Sequence, residues 1–531
     1  MGMNAKSKFG LLGLHSRKVL FFVSFLFIIV FVSSCLIYVF NDTSHFAFGA
    51  SDSVVSNEGE FRNAVNVATG STVIALGKDI TLTNSPLVIS ANKDITLTSN
   101  SATKLYKLIG APEQSTIIVE MYGVLLLDGI IVTHVDDTPD TTGVLVNSGG
   151  TLSLSGGEIS GNGESGVWNM GNFSLLGGKI SGNSHAVGHN SNSHPGGGGV
   201  YNVGVFTMSG GEISGNNLRP SYYSGLGCGG VYNSGVFSMS GGLIANNFAP
   251  FGSGVSNEGN FTMSGGEISG NTDGGGVYNR GNFSMFSGKI SDNIGSGVRS
   301  GGNFSLSGGE ISGNRFGSSI LCGGGVENEG VFKMSGGMIS DNRALGDGGG
   351  VYNGGGSWNA TFSMTGGVIS DNIAECIDTG AFGNGGGVYN AEGDGDSSGD
   401  FSGKGNFVMS GGVISNNKAS NGGGVYNMGN FKITDGKISD NKATNYGGGV
   451  YSSGGFDRCG GTISGNIASK GNNVYFYDGN VWSSDDGNVW SSDSGFGLRG
   501  IVIVCACVVC VIGVLFYFRK RVQKTKTEHP I

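Results

Sequence analysis

Proline is scarce in this chain, with 7 among 531 residues. Glycine does not recur at every third place, so a collagen triple helix is excluded. Cysteine is nearly as sparse. Of 8, Cys505, Cys507 and Cys510 sit in one apolar run near the C-terminus. Cys228 and Cys322 lie four repeats apart, so about 19 Å of strand stacking separates them, too far for a disulfide. No disulfide framework is expected. No CxxC pair marks a metal site, and His185, His189 and His194 read as part of one polar loop. No metal or cofactor is expected. Positive charge is also short. Residues 41–518 carry 21 basic and 38 acidic groups, and 21 − 38 gives −17. A nucleic-acid partner is therefore disfavoured. Long apolar runs are absent except at the two ends.

What the chain has in excess is glycine, 104 residues, far above the usual share of about 7%. Hydrophobic residues still make up 38%, and they recur at fixed places, so simple disorder does not fit. The line "GGGVYNMGNFKITDGKISDN" from Gly422 to Asn441 has near-copies through most of the sequence. The Ile of "ISxN" falls twelve times between Ile159 and Ile463, with gaps from 21 to 45 residues. From Phe to that Ile the step is always seven. From the Val of "GVYN" to the Phe it is six, stretched only before Phe362 and Phe407. Most insertions fall between "ISxN" and the next "GGGV".

Two to four glycines per unit argue against helix, at about 1 kcal/mol each. Short β-pieces, "VYN", "FxM" and "xIS", fit a coil of parallel strands with rungs about 4.8 Å apart. Val, Phe, Met and Ile then form inward columns, and Tyr faces the other way. Stacked Asn amides can bond between rungs, and Asn and Gly suit corners that need left-handed backbone. The fold class expected is all-β, a parallel β-helix of about 15 rungs with three strands each, a solenoid about 70 Å long.

The "GGGVYN…F.MSGG.ISGN" units resemble adhesin-like members of the pectin-lyase-like, right-handed parallel β-helix superfamily, found on bacterial and archaeal surfaces. The resemblance covers about residues 56 to 477. It is weaker to the Gly-Gly repeats of chlamydial polymorphic membrane proteins, whose "FxxN" is here "ISxN", with no autotransporter barrel following. "EFRNAVNVA", with Phe61, Ala64, Val65 and Ala68 at helical spacing, resembles the cap of the first rung in that superfamily. Alternation around Ile80, Leu82, Ile89, Ile95 and Leu97 gives the first strands. Ile118, Val124 and Ile131 repeat the six-then-seven spacing and read as an early rung.

Residues 1–50 read as a signal peptide or signal-anchor around apolar Val19 to Phe40. Residues 51–140 hold the cap and first rungs, and 141–477 the Gly-rich repeats. Residues 478–498, with Trp482 and Trp490 in a phrase written twice, read as a cap or stalk. Ile501 to Phe518, within 499–518, is long enough to cross a membrane, and the basic tail 519–531 then lies in the cytoplasm.

The candidate binding face is the outward column Trp168, Tyr201, Tyr232, Tyr278, Tyr352, Tyr389, Tyr426 and Tyr451, beside the inserted loops. Stacking that merely stabilises the rungs explains the same column. No catalytic residue is assigned, because the acidic clusters that lyases and hydrolases of this fold carry do not recur. The expected role is a membrane-anchored extracellular protein that binds glycans or cell surfaces or builds the envelope. The alternative is a surface polysaccharide lyase or hydrolase. Acceptor patterns for N-glycosylation occur at Asn41 and Asn359, and also at Asn172, Asn260, Asn282 and Asn303, where the repeat itself writes them.

Overall fold

A computed structural model describes residues 53–83, 85–134, 141–186, 197–219, 227–250, 252–316, 323–354, 359–375, 383–392, 404–478, 481–484 and 489–491. The chain divides into two compact units, Met1–Ser53 and Val54–Ile531, and the repeats belong to the second. The apolar segments Val19–Phe40 and Ile501–Phe518 lie outside the described residues. Among those described, no helix is long and apolar enough to cross a membrane.

The second unit is a parallel β-solenoid. Fifteen strands, from Leu87–Ile89 to Val474–Asp478, pair parallel in succession, each Val-type residue on its counterpart one rung away. These form the Val sheet. The Phe and Ile pieces lie in one wide second sheet. In several rungs they fuse into a single bulged strand, as in Asn260–Ser269 and Asn282–Ser291. "FxM" and "xIS" are thus halves of one sheet rather than two sides of the coil. A third sheet uses the residues after the inward Asn, such as Asn217–Arg219 and Lys442–Tyr446, with single bridges through Ile294 joining its two parts.

The core is a set of columns. Phe173, Phe206, Phe237, Phe261, Phe283 and Phe304 stack with centroids 4.6–4.9 Å apart and planes within 10°. Strand spacing imposes this repeat, and a slight slip makes it the offset stacking that aromatic rings favour. Met columns run beside them. The methyl of Met239 would sit 2.6 Å from a Cβ at Gly266, where φ is +81°, so that "SGG" glycine answers to both a turn and a close approach.

Two amide ladders seal the coil. Asn183 donates its Nδ2 to Asn216 Oδ1 at 3.0 Å and to Ile159 O at 3.0 Å, and Asn216 Oδ1 also accepts from Asn183 N at 3.1 Å. This pattern recurs from Asn162 to Asn466, all buried. The second ladder joins the Asn of "VYN", with Asn169 Nδ2 on Asn202 Oδ1 at 2.7 Å. Left-handed backbone sits elsewhere than expected. It falls on the x of "ISxN", at Asn246, Asp292, Asp341, Asp371, Asn416 and Asp440 (φ 55–61°), with Gly in most other rungs. The Asn that follows faces inward and stacks.

At the N-terminal end, helix Glu58–Val67 is capped by Asn57, whose side chain accepts from Glu60 N at 3.0 Å, while Glu60 accepts from Ser56 N at 2.8 Å. Phe61 and Val65 are buried over the first rung, as their spacing indicates. The early rung is shifted by one residue from the expected register. Ile117, Val119, Leu125 and Val132 face the core, while Val124 is 38% exposed. A one-residue slip exchanges the two faces of a strand. At the other end, Val481–Ser484 and Val489–Ser491 continue the Val sheet antiparallel, with Trp482 opposite Trp490.

Candidate functional site

In each "VYN" strand, Val and Asn face the core, so Tyr projects from the opposite side of the Val sheet. Register places all eight expected aromatics in one column, from Trp168 opposite Tyr201 to Tyr426 opposite Tyr451. Tyr475 extends it and escapes a sequence reading, because "NNVYFY" lacks the "GGGVYN" signature.

The column is broken. Ser256, Arg299 and Glu327 occupy the same outward place and divide it into two stacks with Tyr278 between them. In the first stack, Trp168 and Tyr201 meet at 4.9 Å with planes at 59°, and Tyr201 and Tyr232 at 5.2 Å and 6°. In the second, Tyr352, Tyr389, Tyr426 and Tyr451 follow at 4.6–5.3 Å, within 11° of parallel. Ring faces are spent on neighbouring rings. Tyr201, Tyr232, Tyr352 and Tyr389 are 3–9% exposed, while Trp168, Tyr278, Tyr426 and Tyr451 are half-buried. A ligand meets ring edges and hydroxyls here, not open faces.

Burial holds several of these hydroxyls protonated. It raises Tyr232, and Glu258, which accepts from the Tyr232 hydroxyl at 3.0 Å, raises it further. Burial likewise raises Tyr426 and Tyr451, and pushes Tyr475 up to about 12. Beneath the first stack, the Cys228 thiol is fully buried and pushed up to about 12, so it is no nucleophile.

At the break lies a polar cluster. Arg299 is 2.7 Å from Glu329 and 3.5 Å from Glu327. Burial works against its charge, and the two carboxylates more than offset that, holding the guanidinium protonated. Arg280 Nε donates to the Tyr278 hydroxyl at 2.9 Å, and its guanidinium lies over that ring at 5.2 Å. The interrupted signatures "VSN", "VRS" and "VEN" are the sequence signal for this cluster. Arg299 is held by the two carboxylates, and Arg280 by the hydroxyl and ring of Tyr278.

Among the described residues, no group of three His, Cys, Asp or Glu could hold a metal. His189 and His194 lie outside them, as do Cys322 and Asn41. Asn359 is exposed, and its Oδ1 accepts from Lys404 N at 3.0 Å. Asn172, Asn260, Asn282 and Asn303 are also exposed, and Asn303 and Asn282 each donate to the Asn of the preceding rung. The insertions 187–196, 220–226, 317–322 and 376–382 fall between the third sheet and the Val sheet, outside the described residues.

Comparison with protein-family models, with curated proteins and with solved structures found no match.

Proposed function

We propose that this chain is a membrane-anchored surface protein, a right-handed β-helix of the adhesin-like, pectin-lyase-like kind, that contacts glycans or neighbouring surfaces and is not an enzyme. One observation carries the reading. The inward Val column runs unbroken through fifteen rungs while most insertions gather at one edge, between the third sheet and the Val sheet. A self-stacking scaffold that tolerates length change at a single edge suits display rather than catalysis. In this reading Ile501 to Phe518 anchors the chain, the solenoid stands outside, and residues 519–531 remain in the cytoplasm.

The test is made on intact cells. Protease added outside should cut within 187–196 or 376–382, and a reporter fused after Ile531 should be active only in the cytoplasm. Purified full-length protein should bind a glycan array without releasing reducing or unsaturated sugars. Protection of both loops, or sustained sugar release, would overturn the reading.

A further inference from the structure

The outer face of the Phe half of the second sheet carries little charge over ten successive rungs. Its solvent-facing positions are those flanking each Phe (Leu152 in the first of these rungs) and the one after each Met or Leu. Across the ten rungs from Thr151 to Ser410 this makes three columns of ten, thirty positions, of which one, Lys333, is charged. Charged residues make up 13% of the chain, so about four would be expected. Twenty-three of the thirty are Ser, Thr or Asn. The same sheet does carry charge across the "GG" bulge, where Glu158, Lys179 and Glu212 stack before the Ile column. Neutrality is thus confined to these ten rungs of one half-sheet, and the same column ends in the ion pair of Lys432 and Asp457.

The face is open and regular. Val205 and Val236, on adjacent rungs, are 42% and 41% exposed, and Phe286 is 57% exposed, so nothing among the described residues covers it. Polar groups repeat in register, as where Thr207 Oγ1 donates to Ser174 Oγ at 3.0 Å. The same chemistry recurs about every 4.8 Å over about 43 Å.

We propose that this face binds a neutral, linear polysaccharide lying along the solenoid axis, an inference that rests on the surface-binding function proposed for the chain. Charge selects the partner. A face whose single charge is Lys333, in a chain of net charge −9, offers little to a polyanion and no fixed anion to a polycation. Hydroxyls and amides both donate and accept, as sugar hydroxyls do. Val205, Val236 and Phe286 meet the C–H faces of sugar rings. A surface that repeats by translation over ten rungs gains its full contact only from a ligand that also repeats.

The experiment uses detergent-solubilised full-length protein, cosedimented with insoluble cellulose and chitin, and with polygalacturonate beads as the anionic control. The wild type should sediment with a neutral polymer, with little dependence on salt. Ser238→Lys with Thr262→Lys places two charges on adjacent rungs without touching the core. Retention should fall about tenfold or more while melting is unchanged. If only Tyr278→Ala loses binding, or if only polygalacturonate is bound, this face is the wrong one while the glycan reading stands. If the lysine pair instead dissociates a dimer without affecting sedimentation, a second copy occupies the face and the inference falls. If the wild type binds no polymer here and no glycan on the array, the broader reading falls with it.

Discussion

Phe283 and Asn293 belong to one rung and hold it by different means. Phe283 is 1% exposed between Phe261 and Phe304. Truncation to Ala should cost about 3–5 kcal/mol, read as a lowered Tm. Asn293 accepts from Asn271 N and Nδ2 at 3.0 and 2.9 Å and donates to Asn314 and to Ile268 O. Each buried group orphaned by Asn293→Ala costs about 1–3 kcal/mol, so this change should rival the loss of the ring. Tyr278→Ala, on the other side of the Val sheet, should cost clearly less than either. Asp347 gives a prediction with pH. Burial raises its carboxyl pKa in spite of bonds from Asn384 N, Asn384 Nδ2 and Tyr389. The folded chain then binds this proton more readily than the unfolded chain. The penalty is absent below the unfolded carboxylate range, near pH 4, and grows as pH rises through the folded value. Asp347→Asn should therefore raise Tm at neutral pH and leave it nearly unchanged at pH about 3. A Tm gain that was larger in acid would refute this sign.

At the scale of the strand, register decides everything. Leu125→Ala should cost about 2–5 kcal/mol, and Val124→Ala about 0.5 kcal/mol or less, because only the first faces the core. Equal effects in denaturant melts would contradict the observed register. The Gly-rich rungs were legible from sequence because Gly and Asn punctuate them, fixing which residue of "VYN" or "FxM" turns inward. The early rung "VLLLDGIIVTH" has apolar residues on both parities and little punctuation, so spacing alone placed it one residue out. The Tyr column was legible as a column. Its burial was not, since that depends on rings from adjacent rungs closing on one another. Nor was the left-handed corner at "x", which lies beside an Asn that could have served as well. Loops obey the same logic. Val167 to Val200 spans 33 residues, and removing 187–196 leaves 23, between the 22 of Val255–Val277 and the 24 of Val231–Val255. That deletion should leave Tm nearly unchanged.

For the solenoid as a whole, each rung is supported only by its two neighbours, so stability should fall toward the ends. Hydrogen exchange should be slowest in strands such as Val277–Asn279 and faster at Leu87–Ile89 and Val474–Asp478. Uniform protection would indicate a single cooperative unit instead. The amide ladders carry a further consequence. Every amide-to-amide bond of the first ladder runs from Nδ2 to the Oδ1 of the higher-numbered rung, from Asn162 through to Asn473, while the Nδ2 groups also reach back to Ile carbonyls, as Asn183 does to Ile159. Its first acceptor, Asn162 Oδ1, lies 2.8 Å from His134 Nδ1. Each rung thus presents the same plug above and the same socket below. Height becomes a counted quantity. Excising Val255 to Gly276 would join Gly254 to Val277, mate Asn247 with Asn293, and lower the tower by one storey of about 4.8 Å.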